Sequence, residues 1–288
     1  MAPQHLALML LVCTIWGFNF VAAKVGVEEL PPLLFTGLRF LILTVVLLPF
    51  LRPARGRMGA VLVIGLFNGA IHFGLMFTAL AMTGASVVAV VGQLNVPFAT
   101  VLSIIFLGEV VRWRRWCGIA MTFIGVLIVS FDPHVFDART GVLFAAGAAL
   151  SGGIASVCMR RLTQVGVFQL QAWTAVITAP LLLVSSFLFE SGQTTLIHNA
   201  QPITWAALLF TTVGASLIGH NAYYYLLQRY EVSLIAPLSL LSPILGVVFG
   251  VSVLGEPLST RIVLGAVTAF IGVSVLALPG RRQAVAAG

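Results

Sequence analysis

Apolar residues occur in long runs, and short polar or charged segments separate one run from the next. Each run is roughly 20 residues long, which is the length that an α-helix needs to cross the hydrocarbon core of a bilayer. The pattern predicts an all-α integral membrane protein with ten transmembrane helices, at Leu6–Ala23, Pro32–Leu51, Met58–Met82, Ser86–Leu107, Trp113–Phe131, Gly141–Met159, Phe168–Phe189, Ile203–Leu227, Leu234–Leu254 and Ile262–Leu278.

Two features of the N-terminal half refine this prediction. The run from Met58 to Leu107 is too long for one crossing, so we expect a tight turn at Thr83-Gly84-Ala85. The first run has no Lys or Arg before it and no small-residue cleavage site, so we expect it to be a helix and not a cleaved signal peptide.

Composition excludes a soluble protein. Apolar residues make up 60% of the chain and charged residues only 8%, against about a quarter charged in soluble domains. The net charge of +7 does not indicate nucleic-acid binding, because the basic residues lie in the gaps between the apolar runs. The expected macromolecular environment is the lipid bilayer.

The distribution of Lys and Arg predicts the orientation. The gaps on the side of the N-terminus hold eleven, and those on the other side hold three, with Arg39 inside the second helix. Since Lys and Arg accumulate in cytoplasmic loops, both termini are expected in the cytoplasm. The eleven are Arg52, Arg55, Arg57, Arg112, Arg114, Arg115, Arg160, Arg161, Arg229, Arg281 and Arg282; the three are Lys24, Arg139 and Arg261.

The two halves of the chain resemble each other at an offset of 147 residues. Leu107-Gly108-Glu109 falls on Leu254-Gly255-Glu256, and Phe123-Ile124-Gly125-Val126 falls on Phe270-Ile271-Gly272-Val273. The match extends without gaps over about 40 positions, which indicates an internal repeat.

This repeat predicts two five-helix units, at residues 1–138 and 139–288. Because five is an odd number of crossings, the second unit must cross the membrane upside down. Inverted repeats are typical of transporters, in which a site near mid-membrane opens alternately to each face. The topology therefore favours transport over catalysis.

A family resemblance supports this interpretation. Trp16-Gly17-Phe18-Asn19, Arg39 in the second helix and the Leu-Gly-Glu segments resemble the EamA domain of the drug/metabolite transporter superfamily, as two tandem copies that cover the chain. The resemblance implies ten helices and substrate export. Within the superfamily the sequence is most similar to a bacterial inner-membrane exporter of aromatic amino acids, which implies aromatic and other neutral amino acids as substrates. The second copy departs from the motif, since Ser151-Gly152 and Trp173 stand where the first has Trp16-Gly17 and Arg39.

Polar and aromatic side chains inside the apolar runs identify candidate cavity residues, because polar groups in a bilayer are costly unless they face a cavity or a partner. Helical spacing puts Asn68, His72 and Met76 on one face. The candidates are Trp16, Asn19, Asn68, His72, Phe73, Met76, Gln93, Asn95, Ser151, Ser216, His220, Tyr223, Tyr224, Ser239 and Ser242.

Each candidate also has a structural interpretation. The His, Asn and Gln residues could be hydrogen-bonded between helices, and Trp16 could belong to an aromatic belt at the membrane surface. Arg39, Glu109 and Glu256 are interpreted as gating or structural residues, and Arg39 needs an internal partner or a wet cavity.

No phosphate-binding loop, metal-ligand spacing or nucleophile motif occurs, so we expect no catalytic residues, metal or cofactor. The sequence predicts an exporter of neutral, aromatic amino acids that works by alternating access. Two alternatives stay open: a transporter of another solute, such as a drug or nucleotide sugar, and a membrane-embedded enzyme or receptor. The oligomeric state is also open, and a monomer is compatible with the sequence.

The charge distribution yields a first testable prediction. A reporter that is active only outside the cytoplasm, fused after Gly288, is expected to stay silent, because eleven basic residues hold that side in the cytoplasm. The same reporter inserted after Ser191, in the gap between the seventh and eighth helices on the other side of the membrane, serves as the positive control. Strong activity from the C-terminal fusion would overturn both the orientation and the inverted repeat.

Overall fold

The computed structural model describes residues 1–108, 113–136, 138–162, 165–227, 229–230 and 232–277, and within these ranges it contains helices and no strands. Two short helices, Pro133–Phe136 and Gln193–Asn199, lie in connections. The long helices are α1 (Pro3–Glu29), α2 (Pro32–Phe50), α3 (Met58–Met82), α4 (Ala85–Leu107), α5 (Trp113–Ser130), α6 (Arg139–Arg161), α7 (Val167–Phe189), α8 (Pro202–Leu227), α9a (Val232–Ser239), α9b (Leu241–Leu254) and α10 (Thr260–Ala277).

Within the described residues, nine helices are long and apolar enough to cross a membrane, and α9b is a shorter apolar helix. The chain is thus a multi-pass membrane protein. The predicted division at Thr83-Gly84-Ala85 is present, with Thr83 and Gly84 extended between α3 and α4. The ninth predicted helix, Leu234–Leu254, is interrupted at Leu240 instead of running through.

Several of these helices change their hydrogen-bond pattern near the middle. A π-helical segment occupies Gly65–Ile71 of α3, and another occupies Phe210–Gly219 of α8. In α4, Gly92–Leu94 forms a 3₁₀ turn. Such irregular segments leave main-chain carbonyls for other partners, and in membrane proteins they are tolerated where protein or a cavity surrounds them.

Helices of the first half pack against helices of the second. Closely packed pairs are α5 with α10, α3 with α6, α2 with α7, α4 with α6 and α1 with α9b. Between α5 and α10 the backbones approach at glycines: a Cβ on Gly118 would lie 2.8 Å from the Gly272 carbonyl, and one on Gly272 would lie 2.6 Å from the Thr122 nitrogen. Small residues permit this approach, as in other membrane helix pairs.

The repeated Leu-Gly-Glu segments end two helices in the same way. Gly108 and Gly255 both have φ of 67°, which favours glycine, and their N–H groups bond to the carbonyls of Ser103 and Gly250. Glu256 then lies against the start of α4, where its carboxylate accepts from the N–H groups of Ala85 at 2.5 Å and Ser86 at 2.9 Å. Glu256 therefore caps α4, and its assignment as a gating or structural residue stays a prediction. Glu109 lies outside the described residues.

Two further carboxylates cap helices of the opposite half at the same end of the bundle. Glu190 accepts from the N–H groups of Leu33 and Leu34 at the start of α2, at 2.8 and 3.1 Å. Glu29 accepts from the N–H of Gln201 at 2.9 Å, at the start of α8. Because helix N-termini expose unpaired N–H groups and partial positive charge, each carboxylate is stabilised there. These caps tie the halves together.

The cap at α4 yields a second prediction. Glu256→Gln is expected to destabilise the protein by about 1–2 kcal/mol, since a carboxylate that caps two N–H groups is replaced by a neutral amide. Thermal unfolding of the detergent-solubilised protein measures the effect. Glu28→Gln is the matched control, because its side chain is 55% exposed and, among the described residues, pairs with Lys24 one turn away at 3.9 Å. Equal stability of the two variants would contradict the capping role.

Candidate substrate cavity

A cavity of about 390 Å³ lies where α1, α2, α3, α4, α8 and the α9a–α9b break meet. Its volume falls within the range of about 300–1,000 Å³ that is typical of small-molecule sites. The predicted residues that line it are Trp16, Asn19, Arg39, His72, Phe73, Met76, Gln93, Asn95, His220, Ser239 and Ser242. Both halves of the chain contribute, and the irregular segments of α4 and α9 reach its wall.

Arg39 is the one formally charged residue among the described lining residues, and it is 2% exposed. Its Nη2 donates to the hydroxyl of Ser216 on α8 at 2.8 Å, while Nε and Nη1 have no hydrogen-bond partner among the described residues. Its guanidinium carbon lies 5.0 Å from the ring centre of Phe73 and 5.5 Å from that of Phe77. In the part of the chain that the structure describes, no carboxylate lies within ion-pair distance of Arg39.

Ser216 and the surrounding rings supply the internal partner that the sequence required but did not identify. Cation–π contacts with buried rings contribute about 2 kcal/mol or more when desolvated. A buried cation without an anion still costs several kcal/mol. The cavity therefore contains an uncompensated positive charge that faces it from α2.

Trp16 is fixed against α8. Its Nε1 donates to the carbonyl of Ala215 at 3.2 Å, and its ring lies 5.2 Å from that of His220 and 5.1 Å from that of Tyr223. The absence of a side chain at Gly219 makes room for it, because a Cβ there would lie 2.6 Å from Nε1. A ring held at one edge in this way can present a face to the cavity.

The two half-buried histidines make similar contacts. Nδ1 of His72 lies 2.7 Å from the carbonyl of Ala148 on α6, and Nδ1 of His220 lies 2.9 Å from the carbonyl of Ala215 on α8. Since a carbonyl only accepts, Nδ1 carries the hydrogen in both rings. Both side chains thus bond to the backbone and also line the cavity, so the two interpretations of each histidine apply together.

The amide side chains that line the cavity differ in the hydrogen bonds that they make. Nδ2 of Asn95 donates to the carbonyl of Ala149 on α6 at 3.3 Å, and Nε2 of Gln93 donates to Ala89 in its own helix. Asn19 is 9% exposed, and its Oδ1 has no hydrogen-bond partner. A buried acceptor of this kind costs free energy until a donor reaches it.

Four predicted residues do not line the cavity. Ser151 donates to the carbonyl of Phe67 at 2.6 Å, Ser216 bonds to Arg39, and Tyr223 contacts the ring of Trp16. Asn68 is half-buried in α3. Asn68 and Ser216 both lie in π-helical segments, where the wider turn breaks the four-residue spacing on which their prediction rested. The side chain of Tyr224 lies outside the described residues.

The cavity is also lined by six residues that are not among the predicted site residues: Phe20, Gly92, Val96, Ala215, Leu240 and Pro243. The apolar members carry no signal, because apolar residues are normal throughout such helices. Gly92 and Pro243 do carry one, since both adjoin the points where α4 and α9 become irregular. Helix breakers beside polar residues could have identified them.

Matching contacts occur in the two halves. A Cβ on Gly17 of α1 would lie 2.9 Å from the carbonyl of Ser242, while Gly152 of α6 packs against Asn95, which is 147 residues before Ser242. Next to these glycines, Trp16 and Ser151 each donate to a carbonyl in a π-helical segment, of α8 and α3 respectively. In each half of the chain, therefore, the first helix packs against the other half through similar contacts.

The family of this chain is identified by comparison with models of known protein families. The model of the EamA-like transporter family matches this sequence twice, over residues 5–131 and 139–278. The chain belongs to the EamA-like transporter family.

Several relatives of this EamA-like transporter are bacterial proteins. It is 31% identical over 301 residues to a "Probable amino-acid metabolite efflux pump" of Escherichia coli (strain K12), with 100% of both chains covered. It is also 31% identical to a protein of the same name from Salmonella typhimurium, with 98% of each covered, and 27% identical to the "Uncharacterized transporter YoaV" of Bacillus subtilis. A crystal structure with 22% identity superposes with a TM-score of 0.65 and covers 98% of this chain and 99% of that chain, so the two share the fold.

The contact of α1 with α9b yields a third prediction for this transporter. Gly17→Ala is expected to lower stability by about 1–3 kcal/mol and to reduce transport, because the new Cβ would lie 2.6 Å from that of Leu245. Gly59→Ala is the matched control, since nothing lies within 4 Å of a Cβ at that helical position. Thermal unfolding and transport are measured for both variants. The close packing is refuted if Gly17→Ala behaves like Gly59→Ala.

Proposed function

We propose that this EamA-family protein exports neutral amino acids and related metabolites, with a preference for aromatic ones, from the cytoplasm across the bacterial inner membrane. The observation that carries the proposal is the cavity itself, which both halves line and which combines aromatic rings, amides and one cation. Relatives named amino-acid metabolite efflux pumps cover the whole chain, which agrees with such a substrate.

The charge of the lining favours this substrate class over the alternatives. A nucleotide sugar carries two phosphate charges, for which transporters need several cations, and the described lining offers Arg39 alone. A cationic drug would meet the positive charge of Arg39 with no carboxylate in that lining to offset it. A zwitterion has no net charge and can present its anionic group to Arg39.

The aromatic preference is supported by the rings around the cavity. Trp16, Phe20 and Phe73 lie in its wall, and Trp16 is held at one edge by Ala215. Aromatic pairs contribute about 0.5–1.5 kcal/mol beyond the burial of their area. A substrate with a ring therefore gains affinity over an aliphatic one of the same charge.

The mechanism that we propose is alternating access by two inverted units, residues 1–138 and 139–288. The matching contacts of Gly17 with Ser242 and of Gly152 with Asn95, 147 residues apart, support this symmetry. Each end of the cavity would open when one unit rocks against the other. The carboxylate caps of Glu29, Glu190 and Glu256 join the units at one end and would have to separate there.

The described lining contains no Asp or Glu that could carry a proton at mid-membrane. We therefore propose a facilitative mechanism, driven by the substrate gradient, unless His72 or His220 carries a proton. The decisive experiment is reconstitution of the purified protein in liposomes, followed by uptake of a panel of labelled amino acids with and without a pH gradient. Uptake of no amino acid would refute the proposed function.

The ring contact yields a fourth prediction. Trp16→Ala is expected to weaken the apparent affinity for tryptophan by about threefold to tenfold, with a smaller effect on alanine, because only tryptophan loses a stacking partner. Trp113→Ala is the matched control, since its side chain is 73% exposed at the start of α5. Initial rates in liposomes give the ratio between the two substrates. An equal loss for both substrates would assign Trp16 a structural role.

A further inference from the structure

Two polar groups of the cavity remain unsatisfied in the protein, and they have opposite character. Nε and Nη1 of Arg39 are buried donors without an acceptor, and Oδ1 of Asn19 is a buried acceptor without a donor. Both residues line the same cavity, and they are 2% and 9% exposed. Buried polar groups in native proteins nearly always have a hydrogen-bond partner. A donor and an acceptor that both lack one in the same cavity therefore point to a ligand.

We propose that Arg39 binds the α-carboxylate of the substrate and that Asn19 accepts a hydrogen bond from its α-ammonium group, an assignment that rests on the proposed amino-acid transport. Arg39 thereby becomes a binding residue instead of the gating or structural residue that the sequence indicated. The substrate must then carry both groups, and a molecule that lacks either one leaves a buried group unpaired.

The geometry around Arg39 suits a carboxylate. Of the five N–H groups of a guanidinium, Ser216 takes one, so at least one edge with two parallel N–H groups stays open. Arginine binds carboxylates through such an edge, with two charge-assisted hydrogen bonds. The bond to Ser216 and the rings of Phe73 and Phe77 hold the guanidinium in place, which lowers the entropy lost on binding.

The same surroundings do not suit another role for the cation. An ion pair within the bundle would need an acidic partner, and none lies within range in the described ranges. A purely structural cation would have its hydrogen bonds satisfied by the protein, whereas Nε and Nη1 are not. The open donors therefore fit a ligand that enters and leaves.

Asn19 suits the ammonium group for the complementary reason. Its amide oxygen is neutral, so it accepts from the ammonium without forming a second ion pair that would trap the substrate. It lies one turn from Trp16 on α1, so the ring site and the ammonium site are on the same helix. A zwitterion could then place its ring, ammonium and carboxylate on separate parts of the wall.

The test is a ligand series on the purified full-length protein in nanodiscs, with binding measured by equilibrium dialysis. The ligands are L-phenylalanine, L-phenylalaninamide, which lacks the carboxylate, and 3-phenylpropanoate, which lacks the ammonium group. The corresponding leucine series is L-leucine, L-leucinamide and 4-methylpentanoate. The wild-type protein is expected to bind each amino acid at least about tenfold tighter than either analogue, since each analogue leaves a buried group unpaired.

Substitutions of Arg39 and Asn19 show which residue is responsible for the preference over each analogue. In Arg39→Gln, affinity for L-phenylalanine is expected to fall at least about tenfold. Affinity for L-phenylalaninamide is expected to stay the same or to rise, because this ligand is a cation that the guanidinium repels. In Asn19→Leu, the preference for L-phenylalanine over 3-phenylpropanoate is expected to disappear. Arg57→Gln, an exposed arginine in the connection before α3, is the matched control and should keep both preferences.

The outcomes separate this inference from the proposed function. If the wild-type protein binds the amino acids and their amides equally, or if Arg39→Gln weakens both to the same extent, the carboxylate site is overturned while amino-acid transport stands. If it binds no amino acid of either series, the proposed function falls, and this inference with it. The wild-type series alone decides the role of the carboxylate should Arg39→Gln fail to fold, and Arg39→Lys, which keeps the charge, should then retain part of the preference.

Discussion

A guanidinium charge inside a bundle of apolar helices costs at least about 2.5–3.5 kcal/mol on insertion scales, and much of this structure can be understood as a response to that cost. Arg39 is surrounded by rings from α2 and α3 and by a hydroxyl from α8. The hydroxyl belongs to the π-helical segment of α8, where Ser216 also donates to the carbonyl of Thr211. The charge, the irregular helix and the cavity thus depend on each other.

Irregular backbone is the second element of this arrangement. In α8 the π-helical segment frees the carbonyl of Ala215, which then receives hydrogen bonds from both Trp16 and His220. In α3 the corresponding segment offers the carbonyl of Phe67 to Ser151. Trp16 and Ser151 reach these carbonyls from other helices, and His220 reaches one from within α8. These hydrogen bonds compensate for the altered backbone pattern and also orient the indole and imidazole rings.

Most of the helices and much of the cavity lining could be predicted from the sequence, because both depend on local features of the chain. Apolar length defines a span, and a polar side chain within a span defines a candidate such as His72 or Asn95. The absence of Asn68 and Ser216 from the cavity lining could not be predicted, since a π-helical segment changes which side chains share a helix face. The break at Leu240 has a signal in Pro243, which lacks the N–H that would bond four residues back. A proline alone does not decide whether a membrane helix bends or divides, so the break itself was not predicted. A hydrogen-bond partner that is distant in the chain, as Ser216 is from Arg39, can be identified only in the folded structure.

The arrangement of charges also bears on how a substrate could be released. A fully paired buried ion pair would hold its ligand tightly, because breaking it leaves two desolvated charges. Arg39 has no protein anion within range in the described part of the chain, so a bound carboxylate would be its sole counter-charge. When water enters the opened cavity, it can solvate the guanidinium and the departing carboxylate together, which lowers the cost of separation. A single unpaired cation that alternates between ligand and water is therefore suited to transport, in which binding must be specific but brief.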